Sequence, residues 1–124
     1  MSQLFERYIH AGAMTRNADA LADLFTDDGV YEAPLAPHGG TFPHHLEGRD
    51  AIRAGMAAWY ALPAESPGTV DFGRSRYVLH TTADPDVFIA EIDAAFTDAD
   101  TMSLVQIFRV RDGRIAHLRD YFTP

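Results

Sequence analysis

Apolar residues recur at helical spacing in the first half of the chain and alternate in the second, with the change falling after residue 68. Leu4, Phe5, Tyr8 and Ile9 share one face of a first helix, with Glu6 and Arg7 turned away from it. Asn17 is placed to cap a short second helix carrying Leu21, Leu24 and Phe25. Asp27-Asp28-Gly29 reads as a turn before a short strand, Val30–Ala33, which Pro34 stops. Residues 34–48, with three prolines, three glycines and three histidines, read as a loop or lid. Gly48-Arg49-Asp50 opens a third helix with Ile52, Met56, Trp59 and Tyr60 on one side, and Pro63 through Gly68 closes it. Strands are then predicted over Asp71–Thr82, Val87–Thr97, Met102–Arg111 and Arg114–Phe122, with Asp112-Gly113 as a two-residue hairpin turn. The order predicts an α+β fold: three N-terminal helices against one face of a mostly antiparallel meander.

Alternation divides each strand into two faces. In 87–96 one set is Ile89, Glu91, Asp93 and Ala95, and the other, wholly apolar, is Phe88, Ala90, Ile92, Ala94 and Phe96. The next strand separates Met102, Leu104, Gln106 and Phe108 from Ser103, Val105, Ile107 and Arg109. In the last, Asp120 shares its face with Leu118 and Phe122. A carboxyl held against apolar walls loses hydration of its charged form, so its pKa rises toward the range useful for proton transfer. Asp120 is therefore the candidate acid/base. One grouping of faces joins it to Glu91, Asp93 and Gln106, but alternation alone does not decide which faces of neighbouring strands coincide.

Composition narrows the function classes. The 124 residues make one domain over 1–124, 47% hydrophobic and 23% charged, with net charge −8. Ten arginines (there is no lysine) lie scattered among eighteen acidic residues, which argues against a nucleic-acid partner. No cysteine is present, so disulfides and thiolate chemistry are excluded. The lack of a signal-like N-terminus or a 20-residue apolar run leads to the expectation of a cytoplasmic protein without a membrane partner. His38, His44 and His45 lack metal-ligand spacing and read as surface residues; His80 and His117 read as structural. No metal and no cofactor is expected.

Arg7-Tyr8, Leu24 to Asp28, Val30 to Pro34, Glu47 to Ile52, and Asp112 to Ile115 followed by Arg119-Asp120-Tyr121-Phe122 together resemble the nuclear transport factor 2-like superfamily. Within it they are most similar to SnoaL-like polyketide cyclases, limonene epoxide hydrolases and steroid Δ5-3-ketoisomerases. The resemblance spans nearly the whole chain and implies a cone-shaped barrel, in which a curved, mostly antiparallel sheet wraps three N-terminal helices around a pocket. It places an acid/base Asp of two subfamilies at Asp120, the second Asp of the epoxide hydrolases at Asp93, their water-holding Tyr at Tyr31, and an oxyanion-binding Tyr of the ketoisomerases at Tyr8. It also implies a substrate pocket of Gln106, Glu91, Trp59, Met102, Leu104, Leu118 and Phe122 around these residues.

Three positions depart from those patterns. Ala33 stands where the ketoisomerases keep their general base and the other two keep an Asn. Gln106 replaces an Asp or a His, and Glu91 an Arg. Two readings stay open: a cofactor-free acid/base enzyme acting on a small hydrophobic carbonyl or epoxide compound by cyclisation, isomerisation or epoxide opening, and a non-catalytic binder of a small hydrophobic ligand or partner. A homodimer is expected through an apolar outer sheet face made by Phe88, Ile92 and Phe96, or by Val105 and Ile107.

Overall fold

The computed structural model describes residues 1–62, 70–97 and 100–123. Helix α1 (Ser2–Ile9) buries Leu4, Phe5 and Tyr8, the face its spacing defines, and runs on into a π-helical turn, His10–Met14. Asn17 caps α2 (Ala18–Ala22), its side-chain oxygen accepting from the Ala20 amide. The sheet follows as β1 (Phe25–Glu32) and β2 (His45–Glu47), then α3 (Arg49–Tyr60) with Ile52 and Met56 buried. It is completed by β3 (Arg76–Thr81), β4 (Val87–Ala94), β5 (Met102–Arg111) and β6 (Arg114–Tyr121). The spatial order is β2-β1-β6-β5-β4-β3, antiparallel throughout except for β1 beside β6. The sheet is open and curves around the helices in the cone-like arrangement that the sequence resemblance implies.

Several boundaries differ from expectation, each for a local reason. Phe25 to Gly29, read as a helix end and a turn, form the first half of β1. Phe25 is fully buried and pairs with Ile115, and the Arg49 guanidinium donates twice to its carbonyl. The strand is irregular between Phe25 and Val30, where a Cβ on Gly29 would lie 3.0 Å from the Thr26 carbonyl and 3.1 Å from that of Ile115. Such an approach leaves room only for glycine. The loop 34–48 contains β2, which pairs with β1 across Val30, Tyr31 and Glu32. β3 starts late because Asp71 makes a turn: its carboxylate accepts from the Gly73 amide and its carbonyl from Arg74 and Ser75. The expected helix stop at Pro63 through Gly68 lies in the stretch 63–69, outside the described residues. Asp112 and Gly113 form the expected turn with φ of 53° and 77°, both in the left-handed region that a two-residue hairpin needs.

The register settles the strand faces. Ala90 lies opposite Gln106, Ile92 opposite Leu104 and Ala94 opposite Met102, while Gln106 lies opposite Asp120. The inner face of β4 is therefore its wholly apolar set, so Phe88, Ile92 and Phe96 are inside and do not form an outer, dimer-facing surface. Phe88 stacks on Phe108, and Phe108 meets Phe5 and Tyr8 edge-on, closing the narrow end of the core. Glu91 and Asp93 point outward with Val105 and Ile107. This is the arrangement that desolvation favours: the apolar stripe is buried and the two carboxylates keep their water.

Candidate active site

A cavity of about 600 Å³ opens between the inner sheet face and the helices. Its walls are mainly apolar and aromatic, and one cluster of its polar groups is buried deep in the sheet. There, β6, β5 and β1 run side by side and bring Asp120, Gln106 and Tyr31 together. Asp120 is 6% exposed. Its Oδ2 accepts a hydrogen bond from the Tyr31 hydroxyl at 2.7 Å, and its Oδ1 accepts from Gln106 Nε2 at 3.3 Å. Burial raises the Asp120 carboxyl from its ordinary 3.8 to about 6, and the hydrogen bonds from Tyr31 and Gln106 limit the rise by favouring the charged form.

Two phenols complete the set. Tyr31 is 1% exposed, and burial first, then the charge on Asp120, holds its pKa well above the usual value. It therefore stays protonated and remains a donor. Tyr8, on α1, also lines the cavity; burial and, secondarily, Asp120 raise it in the same way. Its hydroxyl makes no hydrogen bond among the described residues, so it is available to a ligand oxygen. On the far side of the amide, Gln106 Oε1 is buried without a hydrogen-bond partner among the described residues. This leaves Gln106 as a donor toward Asp120.

Other expected site residues divide clearly. Trp59, Met102, Leu104 and Phe122 line the cavity with Tyr8, Tyr31, Gln106 and Asp120. Leu118 does not: it shares the Asp120 face, but lies opposite Phe108 and is fully buried in the core beneath the cavity. Asp93 is exposed on the outer face, accepting a hydrogen bond from Ser103 Oγ at 2.7 Å. Glu91 is exposed there too, 2.7 Å from His80 Nε2. Neither carboxylate reaches Asp120, so the cluster of three acids that the resemblance implies is not assembled. Ala33 is buried, with its amide bonded to the His44 carbonyl, and offers the cavity no polar group.

The sequence reading missed Phe42. It stands in the loop 34–48 and packs edge-on against Trp59 at 4.9 Å and Phe122 at 4.8 Å, forming part of the cavity wall near Tyr31. A lone aromatic among prolines, glycines and histidines was the available signal. The neighbouring His38 and His44 rings lie tilted against each other with centres 3.8 Å apart, and His44 Nδ1 lies 2.7 Å from the Ala36 carbonyl. Tyr60, Arg16 and Phe72 also line the cavity, and the last two were not expected there.

Removing the Tyr31 hydroxyl takes away the nearer of the two donors that stabilise charged Asp120. Tyr31→Phe should therefore move the Asp120 midpoint upward, above about 6. A carbon-13 carboxyl titration reads this directly. A midpoint equal to or below the wild-type value would remove Tyr31 from the role.

Residues 5–118 match the model of the SnoaL-like domain. An uncharacterized PhzA/B-like protein of Pseudomonas aeruginosa is 33% identical over 126 residues, covering 96% of this chain and 83% of its own length. Among solved structures, a Bacillus subtilis protein provisionally described as an isomerase superposes with TM-score 0.73 at 22% identity, covering 99% of this chain and 86% of the other. An NTF2-like protein of unknown function from Cytophaga hutchinsonii superposes with TM-score 0.61 at 18% identity, covering 99% and 89%. Among the described residues no helix is long and apolar enough to cross a membrane.

Proposed function

The chain belongs to the SnoaL-like family, and on that premise we propose that it is a cofactor-independent acid/base enzyme that moves a proton beside the carbonyl group of a small, largely apolar molecule. The observation that carries this reading is Asp120: a buried carboxyl raised to about 6, held by two donors, facing an apolar cavity. Near neutral pH it is charged often enough to act as a base and basic enough to act well. It takes the proton from the carbon next to the carbonyl, and the electron pair moves onto the carbonyl oxygen. The free Tyr8 hydroxyl supports that developing negative charge. Tyr31 and Gln106 both donate to Asp120, so the proton it has gained has the ligand as its next acceptor. Returned to another atom, that proton completes an isomerisation; alternatively the enolate carbon attacks a second carbonyl and closes a ring, and the alkoxide formed there takes the proton back from Asp120.

Epoxide opening fits less well. Asp93 lies on the outer sheet face, so the second acid of the epoxide hydrolases does not stand beside Asp120 to orient an attacking water. The test is α-proton exchange: small enolisable cyclic ketones in deuterated water should exchange faster with the wild-type protein than with Asp120→Asn. Equal rates would leave the non-catalytic binder as the reading that survives.

We place the expected homodimer on the outer sheet face. Ile89, Val105, Ile107 and Tyr121 lie there, together with Arg119, whose Nε is buried without a partner among the described residues. Light scattering at micromolar concentration should give twice the chain mass, and Ile107→Arg should give the mass of one chain. A wild-type monomer would end this assignment.

A further inference from the structure

Arg16 is placed unlike the other arginines that are fixed by side chains. Arg49, Arg53, Arg74 and Arg111 each pair with an aspartate, as expected in a chain with eighteen acidic residues and ten arginines. Arg16 pairs with no carboxylate among the described residues, yet it lines the cavity. Its guanidinium is held by other means: Nη2 donates to the Tyr60 carbonyl at 3.1 Å, and the group lies 5.0 Å from the centre of the Tyr60 ring. Tyr60 is itself a cavity wall. Nε and Nη1 are left with no protein acceptor among the described residues.

The backbone that delivers this side chain is strained. Arg16 has φ +50°, a left-handed conformation that a residue with a Cβ adopts at a cost. It stands two residues beyond the π-helical turn His10–Met14, which also borders the cavity through Gly12, and its amide donates to the Gly12 carbonyl at 2.8 Å. Strain held beside a cavity, and a helical irregularity next to it, are features that gather at binding sites. Two other charged residues, Glu6 and Arg76, also line the cavity; neither pairs with Arg16 among the described residues, and Arg76 sits on the regular strand β3 without backbone strain.

The geometry points to Arg16 as the residue that receives a carboxylate on the ligand. The ligand class is then an apolar acid: its body lies against Trp59, Phe42 and Phe122, and its carboxylate meets the free Nε and Nη1 donors. A planar guanidinium presents a carboxylate with parallel N–H groups, and charge-assisted bonds of this kind are the strong ones. The inference rests on the cavity being the ligand site, as in the proposed function, but not on Asp120 being a catalyst.

Trp59 is the only tryptophan in the chain and lines the cavity, so its fluorescence reports binding. The probes are 2-naphthoate and its uncharged twin, 2-naphthamide, titrated into wild-type protein and into Arg16→Gln. Wild type should bind the naphthoate at least about tenfold more tightly than the amide, the factor expected of one charge-assisted contact. Arg16→Gln should lose that preference while binding the amide as wild type does, which also shows that the variant is folded. Equal affinities in wild type, or a preference that survives in Arg16→Gln, would overturn the role of Arg16 and leave the cavity reading standing. Failure of wild type to bind either probe would overturn the cavity reading and this inference with it.

Discussion

Asp120→Asn is expected to slow α-proton exchange, and turnover of any true substrate, by roughly 10²- to 10⁴-fold, the usual contribution of a positioned acid/base. The substitution is close to isosteric, and the amide oxygen still accepts the Tyr31 hydrogen bond, so the cavity keeps its shape. What disappears is a group that binds and releases a proton near neutral pH. Affinity for the uncharged naphthamide should stay within about twofold of wild type, because the apolar walls are untouched. A variant that binds normally and fails to turn over separates chemistry from binding, whereas loss of both would mean that the cavity itself has been damaged.

The same substitution should stabilise the protein, and the effect should depend on pH. The folded carboxyl titrates near 6 and the unfolded one near 3.8. Between those values the folded chain keeps a proton that the unfolded chain releases, so stability falls as pH rises. Below 3.8 the carboxyl is neutral in both states and there is no penalty. Above 6 the charged form is buried at full cost, which the separation of the two values sets at roughly 3 kcal/mol. Asp120→Asn carries no such charge. Its thermal midpoint should therefore exceed that of wild type at pH 8, and the gap should close as pH falls through 6 toward 4. Calorimetry across that range reads it. A wild-type advantage at pH 8 would mean that the site is built to stabilise the carboxylate, not to hold it ready for a proton. The expected trade is common at active sites, where residues placed for chemistry cost the fold stability.

Much of this arrangement could be read in the sequence because local rules and global fold agreed. Asn17 at its cap, the Asp112-Gly113 turn and the apolar stripe of α1 each follow from short-range physics, and the structure keeps all three. Asp120 was visible as a carboxyl between Leu118 and Phe122 on one strand face. The alternation in β4 also held the right answer, since it isolated a wholly apolar set, Phe88 to Phe96. Matching Asp93 to the second acid of the epoxide hydrolases set that signal aside, and the register with Leu104 and Gln106 restores it. In this strand the desolvation cost of carboxylates was a better guide than likeness to a family.

Other features depend on contacts that no window of sequence contains. The first half of β1 looks like turn chemistry, and only its pairing with Ile115 and the Arg49 bonds to the Phe25 carbonyl make it a strand. Phe42 sits in a stretch with no periodicity, and the partners that hold it, Trp59 and Phe122, are far away along the chain. Arg16 is one of ten arginines and acquires its meaning from the cavity it lines and the ring it lies over. Leu118 shows the opposite case: its face was right, but its depth in the core could not be read from alternation.

The central claim is that Asp120 is a cavity carboxyl held ready to exchange protons near neutral pH. The most direct measurement is its own titration, followed by the carbon-13 shift of the side-chain carboxyl and assigned by its absence in Asp120→Asn. A midpoint near 6 is the predicted result. A midpoint at or below about 4, the range of an ordinary solvated aspartate, would contradict it.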